Sequence, residues 1–212
     1  MSLTRRDILG VSAGLGLAGI AGGAFIALRG GSGGNDGAMT LDDVLHDPDN
    51  PVLGNPEGSL TIVEYFDYQC PYCKMGHDML MQEVANDGDI RLVMKDWPIF
   101  GGASVLASQL VLGTVSAGDY ATAHAAVMAT PAKLSEDELR QVLQEAGIDT
   151  DAALAGYRAE RGRWDGLMAR NSAQAAELGL RGTPGFIIGA ALHPGALDQT
   201  RLRAAIAEAR RS

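Results

Sequence analysis

The sequence is short of cysteine and of positive charge, and each scarcity excludes a class of protein. Cysteine occurs twice in 212 residues, as Cys70 and Cys73. Two thiols can build neither a disulfide framework nor a four-cysteine zinc site. Lys and Arg number 17 against 26 Asp and Glu, a formal charge of −9. Such a surface argues against a phosphate-backbone partner and so against nucleic acid. No internal repeat is visible. What remains is a chain 46% hydrophobic and 20% charged, able to bury a real core and sized for one ordinary domain.

Glycine is concentrated at the start: 11 of the 28 lie in residues 8–37. Arg5-Arg6 precede an uncharged apolar stretch, Ile8 to Leu28. Paired arginines before a Gly-rich apolar run look like a twin-arginine export signal, with the arginines held on the cytoplasmic side. No Ala-x-Ala cleavage pattern occurs in residues 1–38, and about 20 residues can just span a bilayer. Residues 1–29 therefore read as a signal or a retained anchor, and the body as exported to the periplasm, where disulfides persist. Residues 30–58 read as a flexible linker and a short, Pro-rich extension without heptads, which favours a monomer.

Leu60–Phe66 is rich in β-branched and aromatic residues and reads as a buried strand. A helix opens at the cysteines and stops near Asn86-Asp87-Gly88; Ile90–Lys95 is a second strand. The strand–helix–strand connection is expected to be parallel and right-handed. Residues 103–178 offer only helices, one opened by the capping box Ser135–Glu138, and a break is expected near Gly156 or Gly162. Strands return at Gly185–Ile188 and Ala191–His193, before a closing helix. The expected units are 59–102, 103–178 and 179–212, the outer two sharing one sheet.

Cys70-Pro71-Tyr72-Cys73 follows a strand and opens a helix. A thiolate there faces unpaired backbone N–H groups and the positive end of the dipole, which favour S⁻ over SH. Pro71 fits the first turn, where its missing N–H has no intrahelical partner. Cys70, at the tip, is expected to be the exposed, attacking sulfur, and Cys73, one turn inside, the resolving one. A structural disulfide would constrain little, because the ring is so small. A metal site would need further ligands: among His46, His77, His124 and His193 only His77 has useful spacing, and it reads as a polar residue on the helix flank. Copper carriage by the two thiolates is the alternative from another class.

Together with Gly182-Thr183-Pro184 before a strand, this order resembles the DsbA-like thiol–disulfide oxidoreductases, thioredoxin-superfamily proteins with an inserted helical domain. The likeness covers residues about 59–212. Lys95-Asp96-Trp97-Pro98-Ile99-Phe100-Gly101, with Ser104 and Ala107, is similar to the segment that the Com1-like and ScsC-like branches carry after the second strand. The chain departs from the common pattern in having Pro-Tyr where Pro-His is usual between the cysteines.

The resemblance implies an α/β thioredoxin-like fold with an all-helical insert. It implies a cis Pro184 facing the disulfide, leaving the Thr183 backbone to pair with an extended substrate. It implies that Glu64, an acid in an otherwise apolar strand, lies beneath the disulfide and handles the proton of the inner cysteine. Lys95, at the end of the neighbouring strand, is expected to pair with Glu64 and join the catalytic set. Tyr72 is the aromatic placed for surface contact; Tyr65 and Phe66 read as core on opposite faces of the strand. The implied partners are unfolded or partly oxidised exported proteins and a membrane redox partner, DsbB-like for an oxidase or DsbD-like for an isomerase or reductase. No cofactor is called for.

Overall fold

The computed structural model describes residues 39–131 and 133–211; the twin-arginine segment and residues 30–38 of the linker lie outside the described residues. In chain order the elements are α1 (Leu41–Leu45), β1 (Val52–Gly54), β2 (Leu60–Phe66), α2 (Pro71–Asp87), β3 (Ile90–Asp96), α3 (Gly102–Leu112), α4 (Tyr120–Met128), α5 (Glu136–Glu145), α6 (Thr150–Ala159), α7 (Arg161–Glu177), β4 (Gly185–Ile188), β5 (Ala191–Pro194) and α8 (Gln199–Ala209).

The five strands form one sheet in the order β1-β3-β2-β4-β5. β2 and β3 are parallel and joined through α2; the other pairs are antiparallel. The central strands carry apolar side chains on both faces because both are covered. The extension before β2 supplies an edge strand that its turn-rich sequence did not indicate: Val52–Gly54 pairs with Arg91–Val93.

Side chains alternate across a strand, so the sheet has two distinct faces. One carries Ile62, Phe66, Leu92 and Met94 and packs with Leu80 and Val84 of α2, Leu202 and Ile206 of α8, and the helical insert. The other carries Val63, Tyr65 and Val93 and packs with Val44 of α1 and Ala175 of α7. The insert is helical throughout, and its last helix returns to the sheet against β3. The break between α6 and α7 falls at Glu160, which caps both helices, and not at a glycine. Gly156 serves a different purpose. A Cβ there would lie 2.4 Å from the Gly113 carbonyl oxygen, and one on Gly113 would lie 1.9 Å from the Ala153 carbonyl oxygen, so α3 and α6 cross with their backbones in contact.

Candidate active site

The redox motif sits where β2 ends and α2 begins. Cys70 is the N-cap of α2, with φ −77° and ψ 118°, and Pro71 takes the first helical position. The Asp67 carbonyl accepts from the Cys70 amide at 3.0 Å and closes the turn. Both cysteines are free thiols. The Thr183–Pro184 bond is cis, and the Cys70 thiol donates to the Thr183 carbonyl at 3.2 Å.

Exposure does not separate the two sulfurs. Each cysteine is 1% exposed, against the expectation that Cys70 stands out at the helix tip. The Cys70 side chain is covered by the segment at Thr183, whose carbonyl accepts from its thiol. Ionisation separates them instead. The Cys70 thiol is brought down to about 6, first by a hydrogen bond from the Cys73 thiol and then by the Thr183 hydroxyl and the amides of Cys73 and Tyr72, against an opposing effect of burial. The Thr183 carbonyl holds the protonated thiol, while the buried Thr183 hydroxyl has no hydrogen-bond partner. Burial pushes Cys73 far above the ordinary thiol range, reinforced by its bond to Cys70 and by the charge of Glu64. One sulfur is thus the anion and the other its proton donor.

Glu64 lies on the face of the sheet that packs under α2, 2% exposed. Burial, with the nearby Cys70 charge, raises its carboxyl to about 8. Its Oε2 has no protein partner. A cleft of about 10 Å³ is lined by Glu64, Cys73, Gly76, Pro184 and Phe186, about the volume that one water needs.

Lys95 is not with this group. In the parallel β2–β3 register Glu64 lies opposite Met94 and Lys95 opposite Tyr65. Neighbours in register share a face, so Lys95 points to the other side of the sheet, and the expected pairing with Glu64 is corrected. Its Nζ lies 5.7 Å from the Tyr65 ring centre and 3.4 Å from Asn171 Oδ1. The Asn50 oxygen, in the amide orientation that satisfies both ends, accepts from it at 3.0 Å. Burial lowers the Lys95 ammonium to about 8.

His77 is also buried, not on an open flank. It lies 5.1 Å from the ring of His124, which accepts or donates a 2.9 Å bond with Tyr68. Among the described residues no group of three or more His, Cys, Asp or Glu is placed to hold a metal ion.

Two residues beside the cysteines tie the site to the insert. The Gln69 amide pairs both ways with the Leu134 backbone, at 3.0 and 2.8 Å. The Lys74 ammonium caps the end of α4 through Val127 O, Thr130 Oγ1 and Pro131 O, at 3.1, 2.7 and 3.1 Å. Sequence reading missed both, as it missed the buried carboxylate of Asp67. Their partners lie tens of residues away. Pro71 and Tyr72 are exposed, Tyr72 by 57%.

The family described as the DSBA-like thioredoxin domain matches residues 61–207. Solved structures with the same fold include a thioredoxin-like oxidoreductase from Silicibacter pomeroyi DSS-3, 36% identical, covering 82% of this chain and 99% of that one with a TM-score of 0.77. The thiol-disulfide exchange protein alpha-DsbA2 from Wolbachia pipientis is 28% identical over 79% of this chain and 90% of its own, TM-score 0.72. A periplasmic thioredoxin-like protein from Salmonella enterica serovar Typhimurium is 29% identical over 81% and 95%, TM-score 0.69. Among curated proteins, Na(+)/H(+) antiporter NhaA 3 from Salinispora tropica is 25% identical over 166 residues, 77% of this chain. The chain spans about a quarter of the length of the curated relatives it matches.

Proposed function

The chain belongs to the DSBA-like thioredoxin domain family, and from that premise we propose that it is an exported protein thiol–disulfide oxidoreductase working through Cys70 and Cys73. The observation that carries this reading is the split between the two sulfurs: Cys70 is brought down to about 6 while Cys73 is pushed up. The better-stabilised thiolate is the better leaving group.

As an oxidase, the protein starts with the Cys70–Cys73 disulfide. A substrate thiolate attacks the Cys70 sulfur. The Cys70–Cys73 bond breaks, its electron pair goes to Cys73, and Cys73 takes a proton from Glu64, which holds one up to about 8. A second substrate thiolate then attacks the substrate sulfur and expels Cys70 as its thiolate. Two substrate thiols have become a disulfide, and the protein is left as the dithiol. In the reverse direction Cys70 attacks a substrate disulfide, and Glu64 takes the proton that Cys73 must lose. Loss of the Cys70 proton also frees the Thr183 carbonyl to accept from an extended substrate backbone. The membrane partner that resets the site, and export by the twin-arginine segment, belong to the same reading. The relative from Salmonella, named as periplasmic, supports it. Among the described residues no helix is long and apolar enough to cross a membrane.

The test is a pair of variants. Cys70→Ser abolishes exchange, and Cys73→Ser accumulates substrate proteins linked to Cys70, seen on non-reducing gels. A protein that binds Cu(I) tightly and neither reduces insulin nor oxidises reduced RNase overturns the reading in favour of a copper carrier. The in vivo state of the pair then separates the directions: mostly oxidised for an oxidase, mostly reduced for an isomerase or reductase.

A further inference from the structure

His124 belongs to the helical insert, yet its ring lies among residues of the redox motif. Its centroid is 5.1 Å from that of Phe66 on β2, 5.4 Å from Tyr68 in the loop before Cys70, 5.1 Å from His77 on α2 and 5.6 Å from Tyr120 on α4. The Tyr68 hydroxyl and His124 Nδ1 share a 2.9 Å hydrogen bond, and both side chains are fully buried. It is the one hydrogen bond of this imidazole among the described residues; Nε2 has no partner. Burial, with the neighbouring His77, holds the ring well below the usual histidine range, so it is neutral. Stranding a ring nitrogen in the interior costs free energy. A phenyl ring would fill the same space without that cost. What the imidazole adds is the bond to Tyr68.

Tyr68 stands two residues ahead of Cys70, and the short stretch around it is held at further points. The Gln69 amide pairs both ways with the Leu134 backbone, and the Lys74 ammonium reaches Val127 O, Thr130 Oγ1 and Pro131 O. The Asp67 carboxylate accepts from the Ser104 hydroxyl at 2.8 Å and from the amides of Ile99 and Phe100 at 2.6 and 3.1 Å. Apart from the two amides after β3, every one of these partners belongs to the insert. The N–H groups at a helix start favour a thiolate only while they stay aimed at it, so the loop that sets their aim is itself set by the insert. Among these holds the Tyr68–His124 bond is fully enclosed, where water cannot replace a lost partner.

Resting on the disulfide-exchange reading above, we propose that His124 is a positioning residue for Cys70: it holds Tyr68, and through Tyr68 it fixes the loop that presents the Cys70 sulfur to the first N–H groups of α2.

The test reads the Cys70 thiolate midpoint by ultraviolet absorbance and the second-order rate of exchange with glutathione disulfide at pH 5, beside stability in urea. Tyr68→Phe and His124→Phe keep the rings and remove the bond. Each is expected to raise the midpoint by about half a pH unit and to slow exchange roughly threefold, the low end of what one hydrogen bond contributes. The double variant moves no further than the worse single one, because both act through one contact. His124→Asn puts an amide near the place of Nδ1 but leaves a void. It is expected to bring midpoint and rate back toward wild type while losing stability. Ala153→Gly, in α6, lowers the stability of the insert through helix propensity alone and is expected to leave midpoint and rate unchanged. Wild-type midpoints and rates in both ring variants overturn the proposal, as does an Ala153→Gly variant that shifts them equally. Should His124→Phe fail to fold, Tyr68→Phe decides the question by itself. No exchange by the wild-type protein counts against the disulfide-exchange reading alone, and the thiolate midpoints still decide the positioning.

Discussion

The Cys70 thiol donates to the Thr183 carbonyl at 3.2 Å, and the buried Thr183 hydroxyl, which has no hydrogen-bond partner, contributes to lowering Cys70. Thr183→Val keeps the shape and removes the donor. A hydrogen bond to a charged group contributes roughly 1.5–3 kcal/mol. The Cys70 midpoint is therefore expected to rise by about one unit or somewhat more. Ultraviolet thiolate absorbance against pH reads it directly. An unmoved midpoint removes Thr183 from the electrostatics, and a wild-type midpoint near that of free cysteine removes the basis of the whole site.

Glu64 binds its proton more tightly in the folded chain, up to about 8, than at its ordinary value of 4.5. Between those values the unfolded chain binds fewer protons, so this group makes stability fall as pH rises from about 4.5 to about 8 and adds no slope above. Asp96, raised to about 7 by burial, acts in the same sense. Glu64→Gln is expected to gain on the wild type across that window, by roughly 4 kcal/mol at its top, and to slow the steps in which Cys73 loses its proton. Urea denaturation at several pH values checks the first effect. Parallel stability curves for the two proteins would show that the carboxyl is not held protonated.

Lys95 carries the opposite sign. Its ammonium titrates at about 8 when folded and 10.5 ordinarily, so between these values the unfolded chain binds more protons and stability rises with pH. Lys95→Met is expected to flatten that rise. Because Lys95 lies across the sheet from Glu64, the exchange rate is expected to change by less than about twofold, within the range of a remote substitution. A tenfold loss of rate with the fold intact would return Lys95 to the mechanism.

The α3–α6 crossing makes a prediction about folding alone. Gly113→Ala drives a Cβ into the Ala153 carbonyl, and backbone cannot step aside as a flexible side chain can. A loss of about 3 kcal/mol or more is expected in chemical denaturation. Gly162→Ala, in α7, meets nothing within 4 Å and is expected to gain up to about 1 kcal/mol from helix propensity. Similar outcomes for the two would mean that the helices do not approach this closely.

Much of this was legible in local chemistry. The β-branched run of Leu60–Phe66, the proline after Cys70, the left-handed Gly88 that ends α2 and the Ser135 capping box each announce their own element. What depends on how distant segments align was not. The face that Lys95 occupies follows from the offset of β3 against β2, which neither strand's sequence contains. β1 is three residues long and has no pattern apart from its partner. Asp67 read as one more loop residue because its donors come from positions 99, 100 and 104. The exposure of Cys70 was misjudged because Thr183, more than a hundred residues on, closes over it.

The short helix α1 lies against the sheet face opposite the one that carries Glu64, with Val44 packed beside Val63 and Tyr65. The described chain therefore enters the fold from the side away from α2, with Met39 and Leu41 packed on that face, and leaves the Glu64 side of the sheet to α2, α8 and the cleft beneath the cysteines.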